Sequence, residues 1–333
     1  MAGMKKWGLD KFVKRIVHII IIGLISLLLL ELCFRFQVIE FYKTELDGLN
    51  PSSGIVSEKE NILVFGDSFS AHPNSYVQYL RDKIPEFNFI NAAIPGTGIK
   101  EHKLITQKRL RQFKPRHIIY QFYVGNDLAD ISHPVNFKTL SVFRNLYWLL
   151  SKEILVLQYI NYRLASLKPN KQSIEEIHKG EFSVGSYNKR VCTYFKGDPE
   201  FLSNTITLQG NERTVFRQWK SDFSDFLACI PDSVGLTIIV IPACVQVSDL
   251  YLERMRLLGA EFSGSINNAN YPLVTEMEKE FPDLLIINPL EEFQNDEKNG
   301  KQLFYNNDPH MTLYGQKLLG KIILKQTSFT NGE

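Results

Sequence analysis

The chain has 333 residues, 44% hydrophobic and 22% charged, with a net charge of +2. This suits a globular core of one large domain or two small ones, and so balanced a charge, with no basic stripe, argues against a nucleic-acid partner. Its four cysteines form no CxxC pair and no Cys/His cluster, which argues against a structural zinc site.

Residues 1–15 read as a cytoplasmic basic segment, carrying Lys5, Lys6, Lys11, Lys14 and Arg15. An apolar run follows from Ile16 to Leu30, broken only by His18, Gly23 and Ser26, and Leu32, Cys33, Phe34 and Phe36 carry it past Glu31. The run approaches the ~20 residues a spanning helix needs. The preceding positive charge predicts that this end stays in the cytoplasm and the body lies outside the cytoplasmic membrane. Residues 16–36 are therefore read as a single-pass transmembrane anchor. A cleaved signal peptide is the alternative, opposed by the long leader and the lack of a small-residue cleavage site. The body would be periplasmic if the envelope has two membranes.

Residues 37–60 read as a stalk with a breaker at Asn50-Pro51-Ser52-Ser53-Gly54. The first strand is Ile62–Phe65, then a helix over 75–84 with Tyr76, Leu80 and Ile84 on one face, and a strand Phe87–Ile90. A helix over 99–113, basic on its outside, leads to a strand from His117 to Val124. Strands alternating with helices predict a parallel sheet covered on both faces. The rhythm pauses at about 134–210, with a helical stretch at 139–167 dense in Phe, Leu, Tyr and Trp, and a polar stretch at 168–210 without a clear period. This is an expected insertion that roofs a site or meets an envelope protein partner. The pattern resumes with a helix over 212–230, a strand Leu236–Ile241, a helix over 248–281 broken near Ser263-Gly264-Ser265, a strand Leu284–Ile287 and a last helix over 312–325. The expectation is one interrupted α/β domain over 61–327, with a tail at 328–333. Among the body cysteines Cys192, Cys229 and Cys244, at most one disulfide is open, and free thiols are equally open.

Gly66-Asp67-Ser68-Phe69 follows directly on the first strand. A tight turn there leaves a serine hydroxyl at the carboxyl edge of a sheet, and Gly66 is expected to supply a backbone angle bulkier residues resist. Serine needs a base, and His310, in Asn306-Asn307-Asp308-Pro309-His310, has an acid two residues away to steady an imidazolium. His18, His72, His102, His117, His133 and His178 lack such context, and His72 is expected to point along the helix after Ser68. Donors for a developing oxyanion are expected from the backbone N–H of Ser68, the backbone N–H of Gly96 in Asn91 to Gly98, and the side-chain amide of Asn126 in Gly125-Asn126-Asp127. All three follow strands, where open α/β sheets bind ligands. Singly, each reads better as a turn residue.

Together these segments resemble the SGNH hydrolases, the GDSL esterase and lipase family, whose four blocks supply a serine, a glycine, an asparagine and a histidine. The serine block is Phe65-Gly66-Asp67-Ser68-Phe69-Ser70, and the glycine block runs Asn91 to Gly98 with Ala93 where many members have glycine. Val124-Gly125-Asn126-Asp127 matches the asparagine block closely. The family's Asp-x-x-His is one residue shorter here, with Asn307 at the longer spacing, a form shared by some anchored members and followed, as here, by a Gly-containing helix (Met311 to Gly315). The resemblance covers about residues 60 to 325 apart from the insertion. It implies a flavodoxin-like three-layer α/β/α sandwich of about five parallel strands. It also implies ester hydrolysis or acyl transfer with Ser68, His310 and Asp308 catalytic, Ser68, Gly96 and Asn126 as the oxyanion hole, and no metal or organic cofactor.

The expected function is a serine esterase acting on O-acyl or O-acetyl groups of an envelope carbohydrate or lipid. An O-acyltransferase using the same residues is one alternative. Another is a non-catalytic anchored component of a polysaccharide assembly machine, with 134–210 as its partner surface.

Overall fold

Five parallel strands form one sheet: β1 (Asn61–Phe65), β2 (Asn88–Asn91), β3 (His117–Tyr123), β4 (Gly235–Ile241) and β5 (Leu285–Ile287), in the order β2-β1-β3-β4-β5. The computed structural model describes residues 2–50, 56, 58–132, 146, 150, 153–167, 178, 180–264, 266–327 and 329. By contacts the chain divides into two units, Met1–Phe41 with Lys138–Asn170, and Tyr42–Phe137 with Lys171–Glu333.

The sheet belongs to the second unit. Its order is the flavodoxin-like doubly wound one. Ile62 to Phe65 and Ile238 to Ile241 are wholly buried, because a parallel sheet covered on both faces needs apolar side chains pointing both ways. Right-handed crossovers place the helix Tyr76–Lys83, after β1, and the helix Ile99–Phe113, after β2, on opposite faces, since β2 lies on one side of β1 and β3 on the other. Helix Glu212–Leu227 joins Ile99–Phe113, and the last helix, Leu313–Gln326, packs on Tyr76–Lys83. The first layer closes through rings: Phe226 stands 5.3 Å from Phe65, and Phe223 5.0 Å from Tyr120. On the other face, a Cβ at Gly320 would lie 2.5 Å from the Tyr79 ring, so glycine lets those helices touch. The result is the three-layer α/β/α sandwich.

Several local expectations change. The polar stretch after 168 contains two helices, Lys189–Gly197 and Phe201–Thr207. They form because Tyr194, Phe195, Phe201, Leu202 and Ile206 are buried, an apolar set too short and too spaced to show a period among lysines and asparagines. The helical reading of 139–167 holds over Leu155–Leu167, and most of 133–152 lies outside the described residues. The helix over 248–281 is two, Asp249–Leu257 and Pro272–Glu280, separated by more than the Ser263 break. Gly259 at φ +97° ends the first, and Pro272 opens the second at a position where a missing N–H costs nothing. The helix Ile99–Phe113 also turns two basic residues inward, His102 and Arg109, which are buried. Residues 37–60 hold a helix, Lys43–Leu49, and the Asn50 amide donates to Leu46 O and Asn91 O at 2.7 and 2.9 Å. Phe329, in the expected tail, places its ring 5.0 Å from His117.

The first unit centres on the helix Ala2–Arg35, of which Lys11–Arg35 is long and apolar enough to cross a membrane, its most apolar 18-residue window having a mean hydropathy of 2.7 and no buried residue. A signal sequence would pass the same test. Glu31, the charge inside the apolar run, has partners. Its carboxylate accepts the N–H groups of Leu155 and Val156 at 3.2 and 2.9 Å, capping the helix Leu155–Leu167, and pairs with Arg35 at 2.8 Å. Phe41 meets Phe34 and Tyr159 edge-on at 5.2 and 5.4 Å, and Phe34 and Tyr159 lie tilted at 5.0 Å.

Candidate active site

β1 delivers the chain into the turn Gly66 to Ser70, beside β3. A Cβ at Gly66 would lie 2.5 Å from Gln121 Oε1 and 2.6 Å from Ser70 Oγ. Glycine is needed there for room. Its backbone stays out of the left-handed region, so the expected unusual angle is not the reason. Gln121, fully buried on β3, accepts through Oε1 from Asp67 N–H at 3.0 Å and from the Ser70 hydroxyl at 2.9 Å. Asp67 in turn accepts Phe69 N–H and an Asn126 amide proton, both at 2.9 Å. Every neighbour of Ser68 is thus fixed, and its hydroxyl is left at the carboxyl edge of the sheet.

That hydroxyl meets His310. Ser68 Oγ lies 2.7 Å from Nε2, and Nδ1 hydrogen-bonds Asp308 Oδ1. The short Asp-Pro-His spacing works because the same Oδ1 also accepts the His310 backbone N–H at 2.9 Å, curling the loop tightly around the carboxylate. Asp308 Oδ2 accepts from Asn188 Nδ2 at 3.1 Å. Asn307 does not approach the ring: its side chain bonds Ser183 N–H and Glu181 O, both at 2.8 Å, and so ties the insertion to the histidine loop. Phe69 stacks on the imidazole with centroids 4.8 Å apart.

Burial by itself disfavours a charged imidazole at His310, but the hydrogen bond and charge of Asp308 outweigh it and raise the pKa above the usual histidine value. Burial likewise pushes Asp308 up, yet its bonds to His310 and Asn188 hold it below the ordinary carboxylate value. The other described body histidines are otherwise engaged. His72 Nδ1 accepts Asn74 N–H at 3.1 Å, and His178 stacks on Tyr305. Burial lowers His102 to about 4, and its Nε2 lies 3.1 Å from Gly66 O, propping the turn from behind. His117, lowered to about 4 chiefly by burial, bonds Thr237 near the opposite edge of the sheet.

The oxyanion candidates converge on the same edge. Gly96 sits at φ +72°, a conformation only glycine takes without strain. Among the described residues, no hydrogen bond occupies the backbone N–H of Ser68 or of Gly96. Asn126 Nδ2 gives one proton to Asp67 and keeps a second. The glycine and serine blocks are stitched together by Asn91 Nδ2 to Ser70 O at 2.7 Å and Ile94 N–H to Gly66 O at 2.9 Å.

Ser68, Asn126 and His310 open onto a cleft of about 70 Å³, with Phe69, Tyr123, Phe195 and Phe201 as its apolar lining. The insertion supplies much of one wall, including Asn188 and Arg190. Gln121, Asn188 and Arg190 are site residues that the sequence reading missed. Only Asn188 had a local signal, as an N-cap residue: its Oδ1 accepts Arg190 N–H at 3.0 Å. A larger cavity, about 520 Å³, lies at the other edge of the sheet near His117 and holds none of the motif residues. Among the described residues, no group of three or more His, Cys, Asp or Glu is placed to hold a metal ion, and the four cysteines are free.

No family model matches the chain, and no curated protein does. Solved structures resemble it remotely. A catalytic mutant of Axe2, an acetylxylan esterase from Geobacillus stearothermophilus, is 12% identical at a TM-score of 0.40, covering 82% of this chain and 96% of that one. LAE5, an alpha/beta hydrolase enzyme from the metagenome of Lake Arreo, Spain, is 13% identical at 0.39, covering 85% and 100%. TesA is 12% identical at 0.38, covering 80% and 97%. The fold is defined by the chain's own sheet order, and the site by its own contacts.

Proposed function

We propose that the chain is a serine esterase of the SGNH type that removes short O-acyl groups, acetyl above all. The observation that carries this reading is the relay from Ser68 Oγ to His310 Nε2 at 2.7 Å and from His310 Nδ1 to Asp308. A serine hydroxyl becomes a nucleophile when a base takes its proton as it attacks. Ser68 Oγ bonds to the ester carbonyl carbon while its proton passes to His310 Nε2, and Asp308 balances the imidazolium. The N–H groups of Ser68 and Gly96 and the second amide proton of Asn126 hold the oxyanion. Collapse breaks the bond to the alcohol, which leaves with the His310 proton. Water then repeats the cycle on the acyl-enzyme, giving a carboxylic acid and free Ser68.

The cleft has room for a short acyl group. At roughly 10–15 Å³ per water-sized occupant, the ~70 Å³ available accommodates an acetyl group. The apolar helix Lys11–Arg35 behind a basic leader supports a single-pass anchor with this domain outside the cytoplasmic membrane, where O-acylated carbohydrates and lipids are the accessible esters.

The test uses the full chain in detergent micelles with p-nitrophenyl acetate and longer esters, beside Ser68→Ala and His310→Ala. Turnover lost in both variants, a preference for acetate, and a fluorophosphonate label on Ser68 are the expected results. Equal turnover by wild type and Ser68→Ala removes the assigned nucleophile. A label on Ser68 without hydrolysis, but with acyl transfer to added alcohols, turns the reading to a transferase.

A further inference from the structure

Resting on the esterase reading, we propose that Arg190 determines which alcohol the site accepts. Its guanidinium donates to a neutral oxygen carried by the substrate beside the ester, so the favoured substrates are acylated sugars or polyols with free hydroxyls.

The argument begins with how Arg190 is held. Its backbone N–H is fixed by Asn188, the same side chain that bonds Asp308. Its Nε donates to Tyr194 OH at 2.8 Å, and Nη2 donates to Asp130 Oδ1. Tyr194 OH donates to that carboxylate oxygen at 3.1 Å, closing a ring of three side chains. Asp130 follows directly from the asparagine block, in the helix Asp127–Ser132. A side chain with this many rotatable bonds is thus immobilised before any ligand arrives, which removes much of the entropic cost of using it.

Both protons of Nη1 and the second proton of Nη2 are left over. Among the described residues Nη1 makes no hydrogen bond, and Arg190 lines the cleft that contains Ser68 and His310. A Cβ at Gly96 would lie 3.1 Å from Nη1, so its two free N–H groups sit against the glycine whose backbone is an oxyanion candidate. The side chain is 49% exposed, accessible to an entering ligand.

The surroundings select the kind of acceptor. Asp130, its side chain 12% exposed and raised to about 6 chiefly by desolvation, already faces the guanidinium, with Asp67 also acting on it and Glu101 on Asp130. A substrate carboxylate would meet three carboxylates for one arginine. A hydroxyl oxygen meets no such repulsion and takes a free proton. Aryl and fatty alcohol esters offer no acceptor there, whereas an acylated sugar does.

The experiment compares two acetates on the full-length protein in micelles: p-nitrophenyl acetate, whose alcohol part has no hydroxyl, and a mono-O-acetylated methyl glucoside, followed by acetate release. A hydrogen bond from a charged donor corresponds to roughly tenfold to hundredfold in binding. Arg190→Gln is therefore expected to lower kcat/KM for the acetylated sugar about tenfold or more beyond its effect on the aryl ester, mainly through KM, with partial recovery in Arg190→Lys. Equal losses on both esters, or no loss on either, overturn the proposal. Should Arg190→Gln fail to fold, Tyr194→Phe frees the guanidinium from one restraint, and an unchanged ratio between the two esters there overturns it too. Wild type that cleaves the aryl ester but not the sugar acetate removes this subsite and leaves the esterase. Wild type that cleaves neither removes both.

Discussion

The two walls of the cleft are built by different means. One wall comes from strand ends: Ser68 after β1 and Asn126 after β3 reach one edge because parallel strands all finish there, and Gly96, beyond β2, lies on the same edge. The other comes from the insertion, where Asn188 and Arg190 are placed by contacts spanning 120 and 60 residues of chain, to Asp308 and to Asp130. In the proposed mechanism the first wall carries the bond-making chemistry, and the second steadies the acid and faces the substrate. Variants in the two walls should therefore fail differently.

The largest effect is expected at the strand-end wall. Ser68→Ala should lower kcat on p-nitrophenyl acetate by about 10⁴-fold or more, with His310→Ala similar and the double variant no worse, since residues acting as one unit are not additive. A double variant much slower than either single one breaks the picture of a single relay. Circular dichroism and thermal melting separate loss of chemistry from loss of fold.

Asp308→Asn tests the joint between the walls. A roughly 10⁴-fold loss is the measure of removing such an acid where geometry is otherwise kept. The pH profile has a definite sign. His310 must be neutral to act as base, and Asp308 raises its pKa above the usual value near 6.5. Wild-type activity should climb with pH through a midpoint above ~6.5, and Asp308→Asn should move that midpoint down, because burial then acts unopposed. Stability runs the other way. The His310–Asp308 pair stabilises the fold fully below the unfolded histidine pKa and loses that contribution as pH rises through the raised folded value. An acid limb that does not move in Asp308→Asn would break the assignment.

Asn126→Ala belongs to the strand-end wall and removes one proposed oxyanion donor. Loss of one such donor costs ~10²–10³ in kcat. It also strips Asp67 of its 2.9 Å partner, so melting should be followed alongside. A change confined to KM would place Asn126 in binding rather than in the developing charge.

The difference between the walls also sets what could be read in advance. The apolar runs Ile62–Phe65 and Leu236–Ile241 announce buried parallel strands, and residues just beyond such strands are local to them in sequence. Gln121 is illegible because it sits inside a strand of large apolar neighbours, and only the three-dimensional turn reveals what its Oε1 accepts. The helices Lys189–Gly197 and Phe201–Thr207 are illegible because the first buries only Tyr194 and Phe195 and the second, of seven residues, is too short to show a period. The partners of Glu31 are likewise illegible, because the helix Leu155–Leu167 that supplies them lies over a hundred residues away in the chain.

The smallest effect is expected at Asn188, and it sharpens the comparison most. The side chain does two things: Nδ2 donates to Asp308 Oδ2 at 3.1 Å, and Oδ1 caps the helix that carries Arg190. Losing the cap should cost about 1 kcal/mol of stability. Losing a hydrogen bond to a charged acceptor is worth roughly 1.5–3 kcal/mol, of which only the part that misorients the acid reaches kcat. Asn188→Ala should therefore slow p-nitrophenyl acetate turnover by about tenfold, well short of Asp308→Asn, because Oδ1 of Asp308 keeps both of its bonds to His310. Asn188→Ser keeps a capping oxygen but cannot reach the carboxylate in the same way, so it should restore the melting temperature without restoring kcat. If stability and kcat recover together, the insertion acts on the site only by holding itself in place. If they separate, the strand-end wall depends on the insertion for the orientation of its acid.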